Sequence, residues 1–304
     1  MEYLNNYLKY IQYEKGVSKH TFTAYYNDLH QFVNFITNDA GCFVLKNLDN
    51  SDVRRWILFM MSEKVNPNSI SRKVSSLNSF FKYCLRHNII ETNPALHVAL
   101  PKKAKRLPSF LQKNEVEKLF SQEKAADNFK DIRDDLILEM LVGLGIRRAE
   151  LVSLCDNSID YSNRVVKVIG KRNKERITPA YAILLDKCRN YIKLRQEEYP
   201  QHKGEFFLTD RGKPIYDKFV YLLVKRRISE ISTIDKRSPH VMRHTYATLL
   251  LNEGADIEIL RELLGHSSLA STQVYTHSTF EELRKMYSAA HPRMKDPKQI
   301  TKTE

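Results

Sequence analysis

The sequence predicts a mainly α-helical protein with a small β-sheet confined to its C-terminal part. Three observations predict it. The first hundred residues carry apolar side chains at helical spacing almost without a break. A proline-bracketed cationic stretch then interrupts all periodicity. Beyond it, one short β-branched pair of segments sits among further helices. The expected organisation is a helical domain over 1–99, a basic linker over 100–108, a mixed α/β domain over 109–292 and a polar tail over 293–304. At 304 residues the chain is long enough for a separate core in each domain.

Leu4, Tyr7, Leu8 and Ile11 follow the i, i+3, i+4, i+7 spacing of one helical face. After Gly16, Ser18 is a candidate N-cap for a second helix whose buried stripe is Phe22, Tyr25, Leu29, Phe32, Val33 and Ile36. A third helix starts after Asp49 or Ser51 and buries Val53, Trp56, Ile57 and Met60. A fourth opens near Asn68 and buries Ile70, Val74, Leu77, Phe81, Cys84 and Leu85. Arg72, Lys73, Lys82 and Arg86 decorate it, either as a solvated face or as a phosphate-contacting one. In Leu100-Pro101-Lys102-Lys103-Ala104-Lys105-Arg106-Leu107-Pro108 each proline restricts the preceding residue to extended conformations, as suits a linker along a phosphate backbone.

In the second domain a short helix starts at Asn114 or nearby, with Val116, Leu119 and Phe120. The segment 132–142 is a strongly apolar helix with Leu136, Ile137, Met140 and Leu141 in the core. Residues 165–169 and 176–178 are strands, and the polar stretch 170–174 is their hairpin turn. Helices are expected at 181–199, 217–229, 239–252, 257–264, 269–276 and 280–289, with a short extended element and turn at 206–208 and 212–215.

The net charge of +13 favours a polyanionic partner, because Lys and Arg gain affinity by releasing counterions from nucleic acid. Cys42, Cys84, Cys155 and Cys188 are scattered and form no Cys-x-x-Cys pair. A disulfide scaffold and a zinc knuckle are therefore not expected; the thiols read as small buried apolar groups in a reducing cytoplasm. The N-terminus lacks a basic region followed by an apolar stretch, so no signal peptide is expected. No segment approaches the ~20 apolar residues of a membrane span, so no membrane insertion is expected either.

The chemistry gathers in a few motifs. Ser238-Pro239 opens a helix with a hydroxyl N-cap and proline at N1, placing His240 and Arg243 on one face of its first turns. Such a terminus favours anions, and an arginine there can fork onto two phosphate oxygens. A capped helix with a surface salt bridge is the plain alternative. His240 and His244 have the spacing of a metal pair, but Val241 stands where the zinc-peptidase motif needs glutamate, so a zinc-peptidase site is not expected. Leu264-Gly265-His266 ends a helix at a glycine with the imidazole just beyond it. Tyr275 follows on the next helix, one of 16 tyrosines. Its hydroxyl, with an ordinary pKa of about 10, needs cationic neighbours or a base to act as a nucleophile. Gly145-Ile146-Arg147-Arg148-Ala149-Glu150 offers two arginines and a carboxylate that orients backbone or arginine donors. Lys171 rides a hairpin tip, where solvation is the ordinary fate of a lysine.

In this order and local context, Gly145-Ile146-Arg147-Arg148-Ala149-Glu150-Leu151, Gly170-Lys171, His240-Val241-Met242-Arg243-His244, Gly265-His266 and Tyr275 resemble the tyrosine recombinase family, most closely its Xer branch. The resemblance spans nearly the whole chain. It implies a SAM-like, DNA-clamping core-binding domain followed by a tyrosine recombinase catalytic domain. It selects Arg147 over Arg148. Arg147, Arg243 and His266 would clamp the scissile phosphate, Lys171 would protonate the leaving 5′-oxygen, and His240 would assist proton transfer. Tyr275 would attack to give a 3′-phosphotyrosyl link, with no metal or ATP required. Arg172 departs from the glycine common at that position in the Xer branch, and Gly143-Leu144 from the usual Ala-Thr. The helix at 280–289 would dock on a neighbouring protomer, with packing in cis as the alternative. The implied partners are a double-stranded DNA recombination site, a homo- or hetero-tetramer with a second recombinase, and an activating division protein. The implied task is resolution of chromosome dimers; an integrase of a mobile element would share the chemistry. An idle DNA-binding protein would need a broken constellation, and a metal-dependent nuclease clustered carboxylates.

Overall fold

In the computed structural model the described residues are 2–40, 43–102, 109–121, 128–170 and 175–265. The chain divides into two compact units, Met1–Arg106 and Leu107–Glu304, and among the described residues it is helical apart from one small sheet.

In the first unit, α1 (Glu2–Lys9) continues into a single π turn over Tyr10–Glu14, and Leu4, Tyr7, Leu8 and Ile11 are all buried. α2 (Lys19–Ala40) starts where Ser18 Oγ accepts the Thr21 N–H at 3.2 Å, the cap its sequence predicts. Leu29, Phe32, Val33 and Ile36 are buried, whereas Phe22 and Tyr25 lie half-buried at the edge of the core. α3 (Asn50–Ser62) opens with a capping box: Asp49 accepts from the Ser51 and Asp52 N–H groups, and Asp52 accepts from the Asp49 N–H. α4 (Pro67–Arg86) begins two residues earlier than Asn68 suggests. Asn66 is the cap, bonding the Asn68 N–H at 2.9 Å, and Pro67 fills N1, where its missing donor costs nothing.

Two of the four cations on α4 have a role that charge patterning alone does not reveal. Asp28 interrupts the apolar stripe of α2 and is buried. It accepts from Arg72 Nη2 at 2.8 Å, Lys73 Nζ at 3.1 Å and Ser76 Oγ at 2.8 Å, so α4 neutralises it.

The second unit is built around α6 (Phe129–Gly143), which is buried on every side from Leu136 to Gly143 and packs against α8 (Ala182–Glu198) and α10 (Pro239–Asn252). α6 starts three residues ahead of the periodic core, because Asn128 caps the Asp131 N–H at 2.9 Å. α9 (Asp217–Ile231) also packs against α6, and α5 (Lys113–Ser121) packs against α9. One α-helix and one strand escape sequence reading, the five-residue α7 (Arg148–Val152) and the two-residue β1 (Ile159–Asp160), as do the 3-10 turns Leu45–Asn47 and Asp156–Ser158. β1, β2 (Val165–Ile169) and β3 (Glu175–Pro179) form an antiparallel sheet in that order, pairing Val168 with Arg176 and Ile169 with Glu175. The extended element at 206–208 bridges antiparallel to Pro214, and α11 (Ile257–Leu263) ends the described chain.

Cys84 and Cys188 are buried, and desolvation pushes the Cys84 thiol up to about 12. Cys155 departs from expectation: it is only half-buried, at the turn where its N–H bonds Ser158 Oγ. No helix among the described residues is long and apolar enough to cross a membrane. Residues 171–174 of the hairpin turn, 103–108 of the linker, the helices expected at 269–276 and 280–289, and the tail from 293 lie outside the described residues.

Candidate active site

The site forms where the end of α6 turns into α7. Leu144 N–H closes the last turn of α6 on Met140 O, and Gly145 then takes φ +59°, a left-handed conformation that glycine adopts without steric cost. A Cβ there would lie 2.3 Å from Cδ1 of the buried Tyr246 ring. Gly145→Ala therefore combines a left-handed alanine with overpacking and should lower stability by about 3 kcal/mol. Urea unfolding checks this; an unshifted midpoint would contradict the packing described.

This turn does two things. It presents the Gly145 carbonyl to Arg243 of α10, whose Nη1 donates to it at 2.6 Å. It also leaves Arg147 extended at the start of α7, with both its backbone and its side chain directed at Glu150. The Arg147 N–H donates to Glu150 Oε2 and Arg147 Nη1 to Glu150 Oε1, each at 2.7 Å. Glu150 also receives Arg176 Nη2 from β3 at 2.7 Å. Glu150 thus orients both backbone and arginine donors, as its place in the motif suggests.

The three guanidiniums share a second set of acceptors, the carbonyls at the end of α11. Arg176 Nη1 donates to Leu263 O at 2.5 Å, Arg243 Nη2 to Leu264 O, and Arg147 Nη2 to Gly265 O at 3.1 Å. The last carbonyls of a helix have no intrahelical donor, and a helix C-terminus attracts cations. Three consecutive carbonyls thus each hold a different arginine.

The electrostatics follow. Burial alone would raise the Glu150 carboxyl, but the Arg176 cation and the hydrogen bonds from Arg176 and Arg147 outweigh it and hold it below the ordinary range. Burial, reinforced by the Arg147 and Arg176 cations, lowers Arg243 to about 10, so it stays charged at neutral pH. Among the described residues three guanidiniums face one carboxylate, an excess of two positive charges. Such an arrangement can hold a polyoxyanion and stabilise charge developing on its oxygens.

Of the sequence-predicted site residues, Arg147 and Arg243 are brought together. His240 lies one turn before Arg243 on α10 and is exposed. Ser238 occupies the N-cap position, but its hydroxyl caps nothing; the Val241 N–H bonds the Ser238 carbonyl instead. Arg148, the rival to Arg147, forks onto Asp217 of α9 through Nε at 2.9 Å and Nη2 at 3.2 Å. Lys171, His266 and Tyr275 lie outside the described residues. Arg176 was not among the sequence candidates. Its one signal was an arginine amid a β-branched strand, and its partners at 150 and 263 are remote in sequence. Among the described residues no three His, Cys, Asp or Glu side chains group so as to hold a metal ion.

The cluster thus joins α7, α10, β3 and the end of α11, and comparison with known proteins gives the family. Residues 109–282 match the phage integrase family and residues 4–88 the N-terminal SAM-like domain of phage integrases. The chain belongs to the phage integrase family, the tyrosine recombinases, which cleave and rejoin DNA. Tyrosine recombinase XerC of Listeria innocua is 37% identical over 290 residues, covering 94% of this chain and 96% of its own. Tyrosine recombinase XerC of Chlorobaculum tepidum is 34% identical over 317 residues, covering 96% and 94% respectively. In fold, the Tn1549 transposon integrase in complex with circular-intermediate DNA is similar with a TM-score of 0.70, at 22% identity over 92% of this chain and 98% of that one. XerH recombinase bound to a palindromic difH substrate reaches 0.66, at 21% identity over 90% and 81%.

Proposed function

We propose that this chain is a site-specific recombinase of the Xer type that resolves chromosome dimers at cell division. The observation that carries the chemistry is the convergence of Arg147 and Arg243 on successive carbonyls, Gly265 and Leu264, immediately before His266 in the sequence. That their relatives are named XerC, at 34% and 37% identity over nearly full lengths, supports the Xer role over a mobile-element integrase.

In this reading Arg147, Arg243 and His266 hold the nonbridging oxygens of the scissile phosphate, and Tyr275 attacks phosphorus. The P–O bond to the 5′-oxygen breaks as the tyrosyl–phosphate bond forms. Lys171 delivers a proton to the leaving oxygen, and His240 assists proton transfer at the nucleophile. The 3′-phosphotyrosyl link keeps the phosphodiester energy, so a second strand's 5′-hydroxyl can reverse the step. Phosphoryl transfer depends mainly on positioning and charge stabilisation, which fixed guanidiniums supply. The partners are double-stranded DNA sites, a tetramer of this chain alone or with a second recombinase, and an activating division protein, in the cytoplasm. The domains over 1–99 and 109–292 clamp and cut the site, joined by the linker 100–108, and the helix at 280–289 docks on the neighbouring protomer.

The test is incubation with a nicked suicide site in EDTA. A covalent protein–DNA adduct is expected, and its absence on every cognate site would defeat the reading. Lys171→Ala is expected to slow adduct formation by about 10²-fold and to recover with a 5′-thiolate leaving group, which needs no proton. Lack of recovery would remove Lys171 from the acid role.

A further inference from the structure

We infer that Arg176 is a positioning residue of the cleavage reaction: it sets the Arg147 guanidinium through Glu150 and fixes the end of α11 through the Leu263 carbonyl. The inference rests on the recombinase reading above.

Alternation along β3 puts Arg176 on the same face as the fully buried Thr178, where an apolar side chain is expected. The Arg176 side chain is only 10% exposed, so its charge has lost most of its water and needs compensation. The compensation links two other elements. Nη2 bonds Glu150 Oε2, the oxygen that also takes the Arg147 N–H, while Nη1 bonds both Leu263 O and Thr178 Oγ1. Arg147 is thereby tied twice to a network that Arg176 closes, once through Glu150 and once through Gly265 O.

Gly265 reports how tightly this is built. Its φ is +59°, and a Cβ there would come 3.0 Å from Arg176 Cδ and 3.8 Å from Arg147 Nη1. A Cβ there would press on the Arg176 side chain, which would have to give by a few tenths of an ångström. His266 is the next residue in the chain, so the bond to Leu263 O anchors the backbone three residues ahead of it.

The same geometry makes Arg176 an electrostatic partner of the reaction. The charged groups facing Glu150 are Arg147 at the start of its own helix, Arg176 from β3 and Arg243 from α10; α11 contributes backbone carbonyls. Without Arg176 the buried carboxyl keeps its desolvation and loses its strongest cation, so it takes up a proton at a higher pH. A protonated Glu150 no longer accepts both the Arg147 N–H and its guanidinium.

The experiment compares wild type, Arg176→Met and Arg176→Lys on a nicked suicide site. It reads DNA affinity, thermal stability and the single-turnover adduct rate at saturating DNA as a function of pH. Arg176→Met is expected to bind DNA as wild type does and to form adduct about 10²-fold more slowly, the penalty of a misplacement on the order of 1 Å. The acid limb of its rate profile should move to higher pH. Arg176→Lys should recover part of the rate and bring the acid limb back, because it keeps the charge beside Glu150 without bridging to Leu263 O. An Arg176→Met protein with wild-type rate and profile overturns the inference. So does one whose rate falls only in step with its folded fraction, the acid limb unmoved. A wild type that forms no adduct defeats the recombinase reading and this inference together, whereas a fast Arg176→Met protein defeats this inference alone.

Discussion

Arg243→Ala is expected to slow covalent-adduct formation by about 10³-fold or more, the range seen when a single fixed donor to a developing anion is removed. Arg243 is buried, and each of its Nη atoms is held by a backbone carbonyl, Gly145 O and Leu264 O. Of the five N–H donors of a guanidinium, those two bonds use two, so the rest remain for a ligand. Because the side chain is fixed before DNA arrives, little reorganisation is needed when charge develops on the phosphate. Lysine should rescue poorly: one ammonium cannot span both carbonyls and still present a fork to two oxygens. The alanine variant also removes the Arg243 donors to two buried carbonyls, at a stability cost of about 1–3 kcal/mol. Rates should therefore be compared at temperatures where both proteins are folded by circular dichroism. An Arg243→Ala protein cleaving at nearly the wild-type rate would remove Arg243 from the phosphate clamp.

Glu150→Gln has the larger effect on the fold. Glu150 is 2% exposed and is the carboxylate between the Arg147 and Arg176 guanidiniums. Removing the charge leaves two cations facing each other and Arg243, with no anion between them among the described residues. Breaking a buried pair in this way costs about 3–5 kcal/mol, and the 30% exposure of Arg147 points to the lower end. The pH dependence has a definite sign. The folded-state carboxyl lies below its ordinary value, so its stabilisation is fully present above the unfolded pKa of about 4.3. It is lost only as pH falls through the lower folded value. Urea midpoints of wild type and Glu150→Gln should therefore differ by a constant amount around neutrality and converge in acid. Equal midpoints at neutral pH would contradict the network.

How much of this was legible in sequence depended on the range of the interaction. Helices with long apolar stripes were readable because the 3.6-residue period repeats several times, and Ser18 was readable as a cap, while Asp49 and Ser51 were left as alternatives until the capping box selected Asp49. α7 and β1 were not, because five residues and two residues carry no measurable period. Asn66-Pro67 was a readable start for α4, but Asn68, two residues on, is the same residue type. Arg147 and Arg148 are indistinguishable by charge; the family resemblance chose one, and the fork from Arg148 to Asp217 shows where the other goes. Asp28 and Arg176 are the residues whose partners spacing does not reveal. Each is a charged residue at a core position, and the charges that justify them lie 44 residues away at Arg72 and 26 residues away at Glu150. Sequence spacing signals the anomaly but does not identify the partner.

The central claim is that Tyr275 becomes covalently joined to DNA at a site built by Arg147 and Arg243. The direct measurement is to trap the adduct on a suicide site, digest it, and locate the 3′-phosphonucleotide by tandem mass spectrometry. The account predicts that the modification falls on Tyr275 and that Tyr275→Phe yields no adduct while still binding the site. A linkage to any other residue, or an adduct that survives Tyr275→Phe, would contradict it.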